Sequence, residues 1–156
     1  MNRQSERAVP HSEIVKVLLV EDNPGDACMI REMLAEVNGD GFSLECAEQL
    51  STGLERLAEG DIDMVFLDLS LPDSRGLDTF SRVYAQAPQV PIIVLTGLDD
   101  EQVAVQAVRK GAQDYLVKGY VDSNMLVRAM HYAVERKRAV EEELQASGEW
   151  FERQLE

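Results

Sequence analysis

The chain has 156 residues, 45% of them hydrophobic, which suits one globular domain with a single core and some length to spare. Its 29 acids against 15 Lys and Arg give a formal charge of −14, which argues against a nucleic-acid surface, where basic side chains must replace the counterions of phosphates. That balance favours cations, basic protein surfaces or another domain as partners.

Residues 1–13 read as a flexible N-terminal tail with no apolar segment of the kind a secretory leader carries, and His11 within it has no evident partner. No apolar run approaches membrane-spanning length, so a cytoplasmic protein without membrane contact is expected. From residue 14 short apolar blocks begin. VKVLLV (15–20) predicts a first strand that runs directly into Glu21 and Asp22, followed by an Asn-Pro-Gly turn. Two adjacent acids at the end of a buried strand repel one another and need an explanation.

Ile30, Met33, Leu34 and Val37 repeat at helical spacing, then FSLECA (42–47) gives a second strand. Cys28 falls in the helix and Cys46 in the strand; both are expected as buried or half-buried thiols, because their spacing fits neither a metal site nor a disulfide framework. A looser stripe of Leu50, Leu54, Leu57 and Ala58 precedes DMVFLDL (63–69), which carries Asp68 on an apolar run. Leu77, Phe80, Val83 and Tyr84 form a third helix, PIIVLT (91–96) a fourth strand, Val103, Ala104, Ala107 and Val108 a fourth helix, and DYLVK (114–118) a fifth strand. The last helix is expected to start after the cap-like Asp122 or Ser123 and to run toward Ser147, with His131 on its surface.

Strict alternation of five strands and five helices implies parallel strands with right-handed crossovers, an α/β doubly wound five-stranded sheet of the flavodoxin-like kind. In that architecture ligands bind beyond the carboxyl ends of the strands. Those ends carry Glu21 and Asp22, Asp68, Thr96 and Lys118. Each alone has an ordinary explanation: a solvated turn, β-propensity, a snorkelling cation. Together they suit phosphoryl transfer to a carboxylate. Asp22 and Asp68, with Glu21 nearby, offer hard oxygen ligands for Mg²⁺, which would offset the acid repulsion. Asp68 can serve as nucleophile, while Thr96 donates to one phosphoryl oxygen and Lys118 pairs with another.

The stretches LLVEDNPGDA, DMVFLDLSLPDSRGLDTF, PIIVLTG and GAQDYLVKG, in this order and spacing, resemble the response regulator receiver domain of two-component signalling across residues 14–134. The resemblance implies that Asp68 accepts a phosphoryl group from a histidine kinase or histidine phosphotransfer protein. It implies that Glu21, Asp22, Asp68 and the backbone carbonyl of Ser70 serve Mg²⁺, that Thr96 and Lys118 sense the phosphoryl group, and that Tyr115 is the aromatic switch. The signal would then pass through the face formed by helix four, strand five and helix five to an output or sensory domain. Such a protein is a regulatory switch and not a turnover enzyme. Two other readings remain: a receiver-like interaction module that carries no phosphate, and an aspartate-nucleophile phosphohydrolase, against which Ser70 weighs because a second acid is usual two residues after the nucleophile. One departure is that Gly119 follows Lys118, where the family usually has proline.

Residues 135–156 change in character to charged helix formers, and Lys137–Glu141 and Arg138–Glu142 are spaced as helical ion pairs. The sparse apolar series Val140, Leu144, Phe151 and Leu155 fits either a solvated helical extension or one half of a parallel coiled-coil homodimer. ERKRAVEEELQASGEWFERQLE also resembles linkers that join receivers to PAS-type sensory modules, with Trp150 and Phe151 where a module would begin. The chain is therefore expected to belong to a longer protein, with a single-domain receiver carrying a long tail as the alternative.

Overall fold

Period-two alternation along β-strands sends neighbouring side chains to opposite faces, and here both faces of the central strands are apolar. The computed structural model describes residues 14–38 and 41–155; His11, and the side chains of Trp150, Phe151 and Leu155, lie outside the described residues. Five strands, β1 (Val15–Val20), β2 (Phe42–Ala47), β3 (Met64–Asp68), β4 (Ile92–Thr96) and β5 (Asp114–Val117), form one parallel sheet in the order β2-β1-β3-β4-β5. Helices α1 (Pro24–Asn38), α2 (Leu50–Ala58), α3 (Leu77–Gln86), α4 (Glu101–Arg109) and α5 (Ser123–Leu155) alternate with them, giving the expected flavodoxin-like fold. A two-stranded ribbon pairs Ser70–Leu71 with Ser74–Arg75 directly after β3.

The two faces make two cores. Leu18, Val20, Val65, Leu67, Ile92 and Val94 pack with Leu50 and Leu57 of α2, Phe80 and Val83 of α3, and Ala104 and Ala107 of α4. On the other face Val17, Leu19, Met64, Phe66, Ile93 and Leu95 meet Ile30 and Leu34 of α1 and Leu126, Met130 and Ala133 of α5. Each large side chain buried this way contributes about 1.5–3 kcal/mol before conformational entropy is set against it. The helices start where their caps are. Asn23 Oδ1 accepts the Asp26 N–H at 3.0 Å with Pro24 at the first helical position of α1, and Asp122 Oδ1 accepts the Met125 N–H at 2.8 Å to open α5.

Several expectations change. β2 is an edge strand with only one well-covered face, so Phe42 and Leu44 are half-buried and Ser43 and Glu45 are exposed. Cys46 on that strand and Cys28 on the outer side of α1 are both exposed thiols, not buried ones, because neither lies under a neighbouring layer. Helix α5 runs through Ser147 and Gly148 to Leu155, 33 residues in all. Its inner stripe ends at Val134; beyond it Val140 and Leu144 are exposed. The extension instead borders a groove of about 460 Å³ with Tyr84, Pro88, Val90 and Pro91, at the amino ends of β4 and β5 and so opposite the strand ends that carry the acids.

This division of α5 predicts unequal sensitivity to truncation. Met130→Ala empties a fully buried position and should cost about 2–5 kcal/mol, whereas Leu144→Ala, at 68% exposure, should change stability by less than about 0.5 kcal/mol. Urea unfolding followed by circular dichroism checks both values.

Candidate phosphoryl and cation site

Strand register sets the site. Val20 pairs with Leu67, so the next residues, Glu21 and Asp68, emerge side by side from the carboxyl ends of neighbouring strands. Asp68 in turn pairs with Leu95, and Thr96 with Val117, which brings Lys118 to the same edge. Glu21 and Asp68 are buried while Asp22 is exposed, and one carboxylate oxygen from each of the three lies within 4.8 Å of the others.

Lys118 answers much of this negative charge. Its Nζ donates to Asp68 Oδ2 at 2.8 Å and to Asp26 Oδ2 at 3.0 Å, and stands 2.6 Å from Glu21 Oε1. Burial alone would lower the ammonium's pKa, but the Asp68, Glu21 and Asp26 carboxylates outweigh it and hold Lys118 above its ordinary value. Glu21 is pushed up to about 7, first by burial and then by Asp68, against the opposing pull of Lys118. Its Oε2 accepts the Asn23 N–H at 3.1 Å. Its Oε1, although close to the ammonium, is a buried oxygen without a directed hydrogen bond. A buried, under-satisfied carboxylate oxygen beside two more carboxylates is the donor set a hard divalent cation prefers. The residues therefore fit Mg²⁺.

The other oxygen of Asp68, Oδ1, accepts the Ser70 N–H at 2.9 Å, which fixes the orientation of the carboxylate. Thr96 is buried at the end of β4, one residue past the partner of Asp68, and its hydroxyl donates to the Gly97 carbonyl at 3.1 Å. The Lys118 N–H bonds the Thr96 carbonyl at 2.8 Å. Tyr115 is half-buried, packed against the core face of α2, α3 and α4, and its hydroxyl donates to Glu101 Oε2 at 2.6 Å. Gly119 has φ of +86°, a conformation closed to proline, whose ring holds φ near −65°. The departure from the usual lysine–proline pair thus comes with a different backbone path.

Three acids were not legible as partners. Asp26 reads as an acid compensating the helix dipole in the first turn of α1, yet it reaches Lys118. Glu101 reads as a solvated helix start, yet it receives Tyr115. Asp73 reads as turn chemistry, but its two oxygens accept the Leu50 and Ser51 N–H groups at 2.8 and 2.9 Å. Gln49, the residue before α2, makes no side-chain cap, so Asp73 caps that helix from the loop after the ribbon's first strand. The sole sequence signal for this was an uncapped helix start.

The sequence profile of the response regulator receiver domain matches residues 17–131. The KDP operon transcriptional regulatory protein KdpE of Escherichia coli is 37% identical over 107 residues, which cover 69% of this chain and 46% of that protein. The cell cycle transcriptional regulator CtrA of Caulobacter vibrioides is 30% identical over 124 residues, 80% of this chain and 52% of CtrA. The chain spans about half the length of the curated relatives it matches. Among solved structures, a response regulator receiver domain protein from Clostridium thermocellum superposes with a TM-score of 0.70 at 27% identity, covering 81% of this chain and 98% of that one. The signal receiver domain of an HD domain-containing protein from Pseudomonas fluorescens gives 0.73 at 25% identity, covering 83% and 93%.

The Asp73 cap has a pH signature. The Ser51 and Leu50 N–H groups hold the Asp73 carboxyl below the usual aspartate value, so its stabilisation is complete above that value and is lost as pH falls through the lowered one. Asp73→Ala should lower the melting temperature at neutral pH, and the gap from the parent should close as the pH is taken into the acid range. Thermal melts of both proteins between neutrality and the onset of acid unfolding measure it.

Proposed function

The chain belongs to the response regulator receiver family of two-component signalling, and on that premise we propose that it is a phosphorylatable switch whose acceptor is Asp68. The observation that carries this is the placement of Asp68: buried at the end of the central strand, with one oxygen on Lys118 Nζ and the other on the Ser70 N–H. A carboxylate so held is oriented for in-line attack. An Asp68 oxygen forms the new O–P bond while the donor's P–N bond breaks, and the bonding pair leaves with the imidazole of a histidine kinase or phosphotransfer protein. Glu21, Asp22 and Asp68, together with the Ser70 carbonyl, would hold Mg²⁺, which supplies charge neutralisation for the transferred group. Lys118 keeps its ammonium beside Asp68 to pair with a phosphoryl oxygen.

Thr96 and Tyr115 are the readout in this proposal. The Thr96 hydroxyl, on the Gly97 carbonyl at rest, would turn to a phosphoryl oxygen, and Tyr115 would leave Glu101 and repack the face made by α4, β5 and α5. Output then lies beyond residue 134, through the continuous helix α5, in a domain of a longer protein or in a homodimer made by that helix. The relatives named as transcriptional regulators extend well past the matched region, which supports a longer protein here. Among the described residues no helix is long and apolar enough to cross a membrane. The protein would be a relay component, with self-phosphorylation and self-dephosphorylation as its only chemistry.

Intact mass after incubation with Mg²⁺ and acetyl phosphate tests the acceptor. The parent should gain one phosphoryl group, the gain should vanish with chelator, and Asp68→Asn should gain none while keeping the parent's circular dichroism. Labelling of the Asn variant would overturn the assignment.

A further inference from the structure

The site contains a conflict. The carboxylates best placed for a divalent cation, Glu21 and Asp68, are also the partners of the Lys118 ammonium. If Lys118 surrendered both, a half-buried cation would be left without a counter-charge, at a cost that opposes cation entry. Its backbone is held by the Lys118 N–H on the Thr96 carbonyl at 2.8 Å, but that bond fixes the main chain and leaves the long side chain to be anchored at its ammonium. What can anchor Lys118 independently is the acid outside the metal-ligating group. Asp26 Oδ2 lies 3.0 Å from Nζ in a directed hydrogen bond, and Asp26 is itself fixed in the first turn of α1 by its N–H on Asn23 Oδ1.

We propose that Asp26 is a positioning residue: it retains Lys118 in the site when Glu21 and Asp68 turn to a cation, and so makes the exchange of ammonium for Mg²⁺ favourable. This rests on the receiver reading above. Three carboxylates surround one ammonium with three N–H groups, and of the three only Asp26 lies outside the group that could ligate a cation. The side chain of Asp26 is one-third exposed (34%), more than that of Glu21 (0%) or Asp68 (9%), so its carboxylate pays the least desolvation for waiting as the second partner.

Calorimetric Mg²⁺ titration of the whole chain tests this, using the parent, Asp26→Asn, Asp26→Glu, Lys118→Met and the Asp26→Asn, Lys118→Met pair. Asp26→Asn should weaken Mg²⁺ binding about three- to tenfold, Asp26→Glu should restore most of it, and in the Lys118→Met background the same Asn change should cost less than about twofold. No loss in Asp26→Asn, or an equal loss in both backgrounds, would overturn the proposal, the latter because a bare field effect needs no lysine. A second readout requires no cation: Asp26→Asn should speed acetylation of Lys118 by an amine-reactive ester relative to Lys110, and an unchanged ratio would also overturn it. A parent that binds no Mg²⁺ overturns the proposed phosphorylatable switch and the role of Asp26 with it, whereas a parent that binds while Asp26→Asn binds equally well removes the role alone.

Discussion

The ammonium of Lys118 between the carboxylates of Glu21, Asp26 and Asp68 is the interaction on which the upper edge of this sheet depends. Three acids on one lysine is not a neutral arrangement. Coulomb attraction at about 3 Å is large in a partly buried site, yet each buried carboxylate has given up hydration, and Asp22 adds a fourth charge at the rim. The excess appears in Glu21, whose pKa is pushed up to about 7 by burial and by Asp68 despite the adjacent lysine. A chain selected for stability alone would place apolar or amide groups here. The surplus of negative charge makes sense as a standing demand for a second cation.

The parallel sheet is what makes such crowding possible. Adjacent strands run about 4.8 Å apart and end on the same side, so residues that follow β1 and β3 come out as neighbours without any loop having to fold back. The apolar residues that precede them, Val17–Val20 and Met64–Leu67, are buried on both faces and cannot shift register without exposing one core or the other. Rigidity below the site is therefore supplied by hydrophobic packing, while the site itself is assembled from short loops. The ribbon from Ser70 to Arg75 and the Asp73 cap tie the loop after Asp68 to the start of α2, so that the strand carrying Asp68 is anchored at its carboxyl end as well as along its length.

The same distinction decides what could be read from residues alone. Five strands and five helices were legible because burial on two faces writes long β-branched runs and helical stripes into the sequence, and once strand order is assumed the residues that end the strands gather by topology. Glu21, Asp68, Thr96 and Lys118 come to one edge of the sheet that way. Asp26, Asp73 and Glu101 were not legible as partners, because each contact joins a loop or helix start to a different element, and the angle at which the two meet is set by packing rather than by period. Cys46 is misjudged for a related reason: FSLECA has the composition of a covered strand, and nothing in it says that β2 is at the edge. The last helix, expected to run toward Ser147, continues to Leu155, because one glycine costs a helix only about 1 kcal/mol and the charged helix formers on either side carry it through.

Thr96 and Tyr115, the two groups assigned to the readout, are joined by a short path. Thr96 closes β4, its hydroxyl sits on the Gly97 carbonyl, and the turn Leu98–Asp100 leads at once to Glu101, where the Tyr115 hydroxyl is held. The Lys118 N–H on the Thr96 carbonyl closes the loop from the other side, since Tyr115 precedes Lys118 by three residues on β5. In the proposed switch, a change of partner at Thr96 would act at the root of the segment that presents Glu101. The ring of Tyr115 has two stable demands, a core face for its body and an acceptor for its hydroxyl. Glu101, the first residue of α4, meets the second, so in the proposed switch a shift of that helix start and a move of the ring would go together.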